Sequence, residues 1–135
     1  MLEGRQKSVL IVEDEFLIAL DMEAALQDAG FSVCGIAATE AEALALARSD
    51  RPDIALVDLH LADGVTGLSV GAALVDRGTR VIFVTANPAL VAGRVAGALG
   101  VVTKPADTGT LLDVVGWAAL GGGQTPPAGL QPIAG

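Results

Sequence analysis

Between Arg51-Pro52 and Ala62-Asp63-Gly64 the chain runs Asp53-Ile54-Ala55-Leu56-Val57-Asp58-Leu59, an almost unbroken apolar stretch that ends in a carboxylate. A run of this length, with turn residues on both sides, reads as a central strand buried on both faces. Asp58 then stands at the strand's carboxyl end, where open α/β sheets place their ligand crevice.

The rest of the chain repeats the theme. Ser8-Val9-Leu10-Ile11-Val12 is a second β-branched run, closed by Glu13-Asp14-Glu15. Residues 16–29 turn helical, with Ile18, Met22, Ala25, Leu26 and Ala29 on one face and Gly30 as the stop. A short strand follows over 31–36. Thr39-Glu40-Ala41-Glu42 has the form of a capping box and opens a helix to about residue 49.

After the Asp58 strand come a helix over 67–77, a strand over 80–85 ending at Thr85, and a helix over 88–99 started by Asn87-Pro88. Gly93 and Gly97 weaken that last helix by about 1 kcal/mol each relative to Ala. Val101-Val102-Thr103 leads to Lys104-Pro105, and Asp107 caps a helix to about residue 120 whose core face is Leu111, Leu112, Val115 and Ala118. Five strands alternating with five helices predict one α/β domain over 1–120, a parallel sheet with helices on both faces. Residues 121–135, rich in Gly and Pro around Pro126-Pro127, read as a disordered tail.

Composition narrows what such a domain can do. Eight Lys and Arg face 16 Asp and Glu, a net charge of −8. That balance disfavours a nucleic-acid or anionic-membrane surface and suits a divalent cation. No apolar run reaches membrane-spanning length and no signal peptide is evident, so a cytoplasmic protein is expected. Cys34 is the only cysteine, a small core residue with no disulfide partner in the chain.

The polar residues that close the apolar runs are the informative ones: Glu13-Asp14, Asp58, Thr85 and Lys104. In a parallel sheet these ends open onto one edge. Three carboxylates gathered there repel one another, and either raised pKa values or a bound cation relieves that; as the cation, Mg²⁺, which prefers oxygen ligands, fits Glu13, Asp14 and Asp58. Neutralised in this way, Asp58 can attack phosphorus and become an acyl phosphate. Lys104 and the Thr85 hydroxyl would then meet the phosphoryl oxygens.

On these residues the chain resembles a response-regulator receiver domain over residues 8–120. The acidic pair is Glu13-Asp14, the phosphoacceptor Asp58, the switch hydroxyl Thr85 and the Lys-Pro pair Lys104-Pro105. The resemblance implies a flavodoxin-like sheet of order 2-1-3-4-5, phosphotransfer from a histidine kinase, a cis bond before Pro105, and a Mg²⁺ shell that includes the backbone carbonyl of His60. It implies a stand-alone receiver, an adaptor or a phosphate sink, monomeric or weakly dimeric. The segments 13–21 and 83–88 are similar to alphaproteobacterial receivers paired with HWE-type kinases, some of them in the general stress response. Two positions depart from the pattern: Val101 stands where an aromatic switch residue is usual, and Ala106 where an aromatic commonly follows Lys-Pro. With no ring at Val101, the glycine-weakened helix 88–99 is expected to carry the signal.

Other residues admit simpler roles. Glu15 suits the first turn of a helix, Asn87 a cap, and His60 either an exposed loop or control of water near Asp58. Leu17, Leu20 and Ala24 form a strip that suits a partner, and Trp117 lies off its helix's core face. Two rivals use related folds. A Mg²⁺-dependent phosphatase with an aspartyl nucleophile would need an Asp-x-Asp after the first strand, where this chain has Glu13-Asp14-Glu15. A flavodoxin would need a Ser/Thr- and Gly-rich phosphate loop there.

Overall fold

A computed structural model describes residues 6–123 and 125–133. Five strands form one all-parallel sheet of order 2-1-3-4-5. They are β1 (Ser8–Val12), β2 (Ser32–Ala37), β3 (Ile54–Val57), β4 (Arg80–Thr85) and β5 (Gly100–Thr103). Four helices connect or follow them: α1 (Phe16–Asp28), α2 (Glu40–Asp50), α3 (Gly67–Asp76) and α4 (Thr108–Ala119).

Alternation along the strands explains why no strand interior is polar. Val9, Ile11, Ile54, Leu56, Ile82, Val84 and Val102 point to the face covered by Ala19, Met22 and Leu26 of α1 and by Leu111, Val114, Val115 and Ala118 of α4. Leu10, Val12, Ala55, Val57, Val81, Phe83 and Val101 point to the other face, under Ala43 and Ala47 of α2 and Val70 and Leu74 of α3. Both faces are dry, so the period-2 pattern is filled with apolar residues at every position. Between β1 and β2 the register slips by one, pairing Val9 with Val33 and Leu10 with Gly35, and Cys34 is the extra residue of that bulge.

Small residues let the helices of one face sit close. A β carbon at Gly71 would stand 2.4 Å from Phe83 Cζ, and one at Gly67 would stand 2.0 Å from the Asp58 carbonyl oxygen. α3 therefore starts against the backbone of the residue that closes β3.

Three expectations need correction. Residues 88–99 do not form a helix: a 3₁₀ turn, Pro88–Leu90, is followed by isolated turns such as Arg94 N–H to Val91 O and Ala98 N–H to Val95 O. Gly93 and Gly97 are the reason, with φ of +69° and +91°, left-handed values that interrupt a right-handed helix. Val91 and Val95 still bury against the sheet, so the segment covers its face without regular structure. Among the described residues there are four α-helices, not five. On α4 the buried face includes Val114, and Leu112 is only half-buried. On α1, Ala29 is exposed and Ala19 takes a core place.

The tail also departs from its composition. Over 125–133 it returns to the sheet, where Val101 and Gln131 form an antiparallel bridge, Leu130 is buried and Ile133 packs beside the core. Leu130 belongs to the same apolar cluster that Trp117 packs against, and Ile133 to the opposite one.

Candidate functional site

Each polar residue at a strand end owes its position to the ladder beneath it. Glu13 N–H donates to Ala37 O of β2 at 2.9 Å, Asp58 N–H to Val12 O of β1 at 2.9 Å, and Lys104 N–H to Thr85 O of β4 at 2.9 Å. The ladder thus extends one residue past β1, β3 and β5 and presents those side chains at one edge. One carboxyl oxygen each of Glu13, Asp14 and Asp58 lies within 4.8 Å of the other two. Glu13 and Asp58 are buried and Asp14 is exposed, so the cluster has a dry floor and a wet mouth.

Lys104 ties this cluster together. Its Nζ donates to Glu13 Oε1 at 2.6 Å and to Asp58 Oδ2 at 3.0 Å. The second oxygen of Glu13 and of Asp58 is held by the backbone: Leu59 N–H donates to Asp58 Oδ1 at 2.7 Å and Glu15 N–H to Glu13 Oε2 at 3.1 Å. Burial pushes the Glu13 carboxyl above its usual range, and the bonds from Lys104 and the Glu15 amide offset this only in part. Burial pulls the Lys104 ammonium down, but its bonds to Glu13 and Asp58 together outweigh that and hold it above 10.5.

Thr85 closes β4 fully buried, and its Oγ1 accepts the Asn87 N–H at 3.1 Å. Among the described residues its hydroxyl bonds neither the Asp58 carboxylate nor the Lys104 ammonium. Asn87 precedes the 3₁₀ turn but makes no side-chain cap; its amide serves Thr85 instead. Glu15 is the residue before α1 and likewise makes no side-chain cap. His60 is exposed beyond Leu59. The Lys104–Pro105 peptide bond is cis, and Val101 is buried on β5.

Two contributors escaped the sequence reading. The Leu59 amide fixes an Asp58 oxygen, which no side-chain motif announces. Gly67 admits α3 to the Asp58 carbonyl, and its signal was only a glycine at a helix start. Next to Lys104 an apolar groove of about 390 Å³ opens between α1 and the start of α4, lined by Ile18, Met22, Val84, Ala106 and Leu111. Ala106 has no ring to fill it. On the same helix Phe16, Leu17 and Leu20 are exposed, Leu17 at 77%, so the predicted apolar strip on α1 exists and extends to Phe16.

A parallel 2-1-3-4-5 sheet whose carboxyl edge gathers three acids, a hydroxyl and a lysine defines a flavodoxin-like α/β domain with an acidic site at that edge. Residues 9–116 match the response regulator receiver domain family, and the chain belongs to it. Such domains are signalling modules of two-component systems, and their general partner is a histidine kinase.

Among its relatives is the phyllosphere-induced regulator PhyR of Methylorubrum extorquens, 46% identical over 82 residues, 59% of this chain and 31% of that protein. The chain therefore spans under a third of that regulator's length. The receiver domain of PhyR from Erythrobacter litoralis superposes with a TM-score of 0.80 at 29% identity, over 91% of this chain and 97% of that one. A response regulator from Burkholderia pseudomallei, solved with a phosphorylated aspartic acid, a calcium ion and citrate, superposes at 0.68 with 29% identity, over 79% of this chain and 65% of that one. Among the described residues no helix is long and apolar enough to cross a membrane.

Proposed function

We propose that this chain takes a phosphoryl group from a kinase phosphohistidine onto Asp58 and passes the signal on as an adaptor, or drains it as a phosphate sink. The observation that carries this reading is the position of Lys104, within hydrogen-bond reach of both Glu13 and Asp58.

Glu13, Asp14, Asp58 and the His60 carbonyl would hold Mg²⁺, and the donor set fits: all are hard oxygens, and three carboxylates stand close enough to share one cation. When bound, the ion neutralises charge on the incoming phosphoryl group and on the acids around it. An Asp58 oxygen forms the new P–O bond as the P–N bond to the donor imidazole breaks. The electron pair leaves with that imidazole nitrogen, which ends protonated or as a neutral ring according to its other nitrogen. The Leu59 amide limits how far the attacking carboxyl can rotate. Lys104 moves its charge from the carboxylates to a phosphoryl oxygen. Because Thr85 Oγ1 accepts the Asn87 amide, its own proton is free to be donated to a second phosphoryl oxygen.

The calcium ion and phosphorylated aspartic acid in the Burkholderia regulator support the same chemistry here. Similarity to the PhyR stress response regulator favours a stress-response pathway, and the resemblance of residues 13–21 and 83–88 to receivers paired with HWE-type kinases favours such a kinase as donor. The exposed Phe16, Leu17 and Leu20 beside the α1 groove suit the kinase contact. The protein is proposed to be cytoplasmic and monomeric or weakly dimeric, and its net charge of −8 disfavours nucleic acid and anionic membranes as partners.

Mass spectrometry after treatment with acetyl phosphate and Mg²⁺ tests this reading. The wild type should gain one hydroxylamine-labile phosphate and Asp58→Asn none. Steady hydrolysis of small phosphate esters that requires Asp58 would favour the phosphatase alternative instead.

A further inference from the structure

β5 is one of the sheet's two edges, and an edge strand offers unpaired N–H and C=O groups to any extended chain that reaches it. Here the chain reaches its own edge. Val101 N–H donates to Gln131 O at 2.8 Å and Gln131 N–H donates to Val101 O at 2.9 Å, a complete two-bond antiparallel pair. Leu130 keeps only 5% of its surface and joins the cluster of Val102, Leu111 and Val114 on one face of the sheet. Ile133 packs against the cluster of the opposite face, which contains Val91 and Val95. The segment therefore grips the edge from both sides.

The fit is close and the attachment is small. A β carbon at Gly100 would stand 2.6 Å from Gln131 O and 2.9 Å from a Leu130 methyl, and one at Gly129 would stand 2.1 Å from Thr110 Cγ2. Glycines at 100 and 129 thus make room for this contact. Yet the pairing stops at one bridge, because the chain before it turns back on itself, Leu130 N–H donating to Pro127 O at 3.0 Å. The contact joins a segment built for specific docking to an anchor of Leu130, the partly buried Ile133 and two backbone bonds.

We propose that residues 127–133 are a detachable cover of the β5 edge, and that the edge beneath is a docking site for an extended apolar peptide by strand addition. The resting occupant is the chain's own segment, held in cis. The cover and an incoming peptide exclude each other, because both require the two backbone groups of Val101 and the apolar site of Leu130.

Amide hydrogen exchange on the full-length chain tests this. In the wild type, Val101 and Gln131 should exchange at least about tenfold faster than Leu56 and Ile82 of the inner strands, through local opening. Equal rates for all four would make the segment a fixed part of the core and overturn the proposal. In Leu130→Asp, Val101 should lose about another factor of ten in protection with Ile82 unchanged. A synthetic peptide of residues 126–133 should then restore that protection. No change at Val101 with millimolar peptide would overturn the docking site. If Leu130→Asp fails to fold, Gln131→Pro takes its place, since it removes the donor to Val101 without placing a charge in the core. Protection at Val101 that rises with protein concentration would show that a second copy supplies the segment, and would overturn the assignment to the same chain.

Discussion

Lys104 Nζ lies 2.6 Å from Glu13 Oε1 and 3.0 Å from Asp58 Oδ2, so one ammonium balances two carboxylates that β1 and β3 bring together. Removing one member of a buried ion pair costs about 3–5 kcal/mol, because the partner stays behind without its counter-charge. The Lys104 side chain retains 17% exposure, which lets water soften the loss. Lys104→Met is expected to destabilise the fold by about 2 kcal/mol in urea denaturation. Added Mg²⁺ should restore part of it. Equal stability of the two proteins without Mg²⁺ would show that the lysine contributes nothing to the fold.

The same pair makes stability depend on pH in two windows. An acid held above its unfolded value favours the fold as pH falls through its folded value, so ionised Glu13 costs stability at neutral pH. Relative to the wild type, Glu13→Gln should therefore be at its best at neutral pH and lose ground as pH falls toward 4.5. A lysine held above its unfolded value contributes stability that is complete below 10.5 and lost as pH rises through the folded value. Wild-type stability should fall in that alkaline range, and Lys104→Met should lack this component. Urea midpoints across the pH range measure both.

Gly67 is predicted to be a site residue without any side chain. Alanine there would drive a methyl to 2.0 Å from the Asp58 carbonyl oxygen and 2.5 Å from Leu59 Cα. Backbone cannot swing aside as a side-chain tip can, so Gly67→Ala should destabilise by about 2 kcal/mol, within the range for overpacking. It should also slow phosphorylation by acetyl phosphate. Gly116→Ala on α4 has open space around it and should stabilise by about 0.5–1 kcal/mol. Thermal melts of the two variants moving in the same direction would contradict the packing.

Cys34 should be a poor nucleophile. Burial, helped by the charge of Asp50, pushes its thiol from 9.0 to about 11. Two pH units leave about a hundredfold less thiolate at pH 8. Iodoacetamide should label the native protein about a hundred times more slowly than the urea-unfolded chain. Comparable rates would place the thiol in water.

Gly93 separates a helix from a series of turns. Within a helix, Gly93→Ala would stabilise by about 1 kcal/mol. At φ +69° alanine is strained, and a loss of about 1 kcal/mol is expected instead. The sign of the change in melting temperature decides between them.

That segment marks where sequence reasoning ran out. The buried runs ending at Val12, Val57 and Thr85 could be read directly, because a strand covered on both faces must be apolar throughout. The edge that collects Glu13, Asp14, Asp58 and Lys104 followed from parallel topology alone. The spacing of Val91, Val95 and Leu99 is compatible with a helix, however, and only the backbone angles of Gly93 and Gly97 reveal that the same burial is reached without one. Pro and Gly likewise made residues 125–133 look structureless. Their order comes from a partner strand 30 residues away in sequence, Val101 with Gln131, which local composition cannot register. The Leu59 amide beside Asp58 was hidden for a related reason, since every residue but proline carries one.

The stretch from Pro88 to Leu99 has one further implication. Successive helical hydrogen bonds stiffen a chain cooperatively, whereas the turns here bond only neighbours and leave no continuous spine. Reshaping this surface requires breaking contacts one at a time instead of melting a rod. A domain lacking a ring at residue 101 thus has, next to that position, a surface segment without the cooperative bonding of a helix.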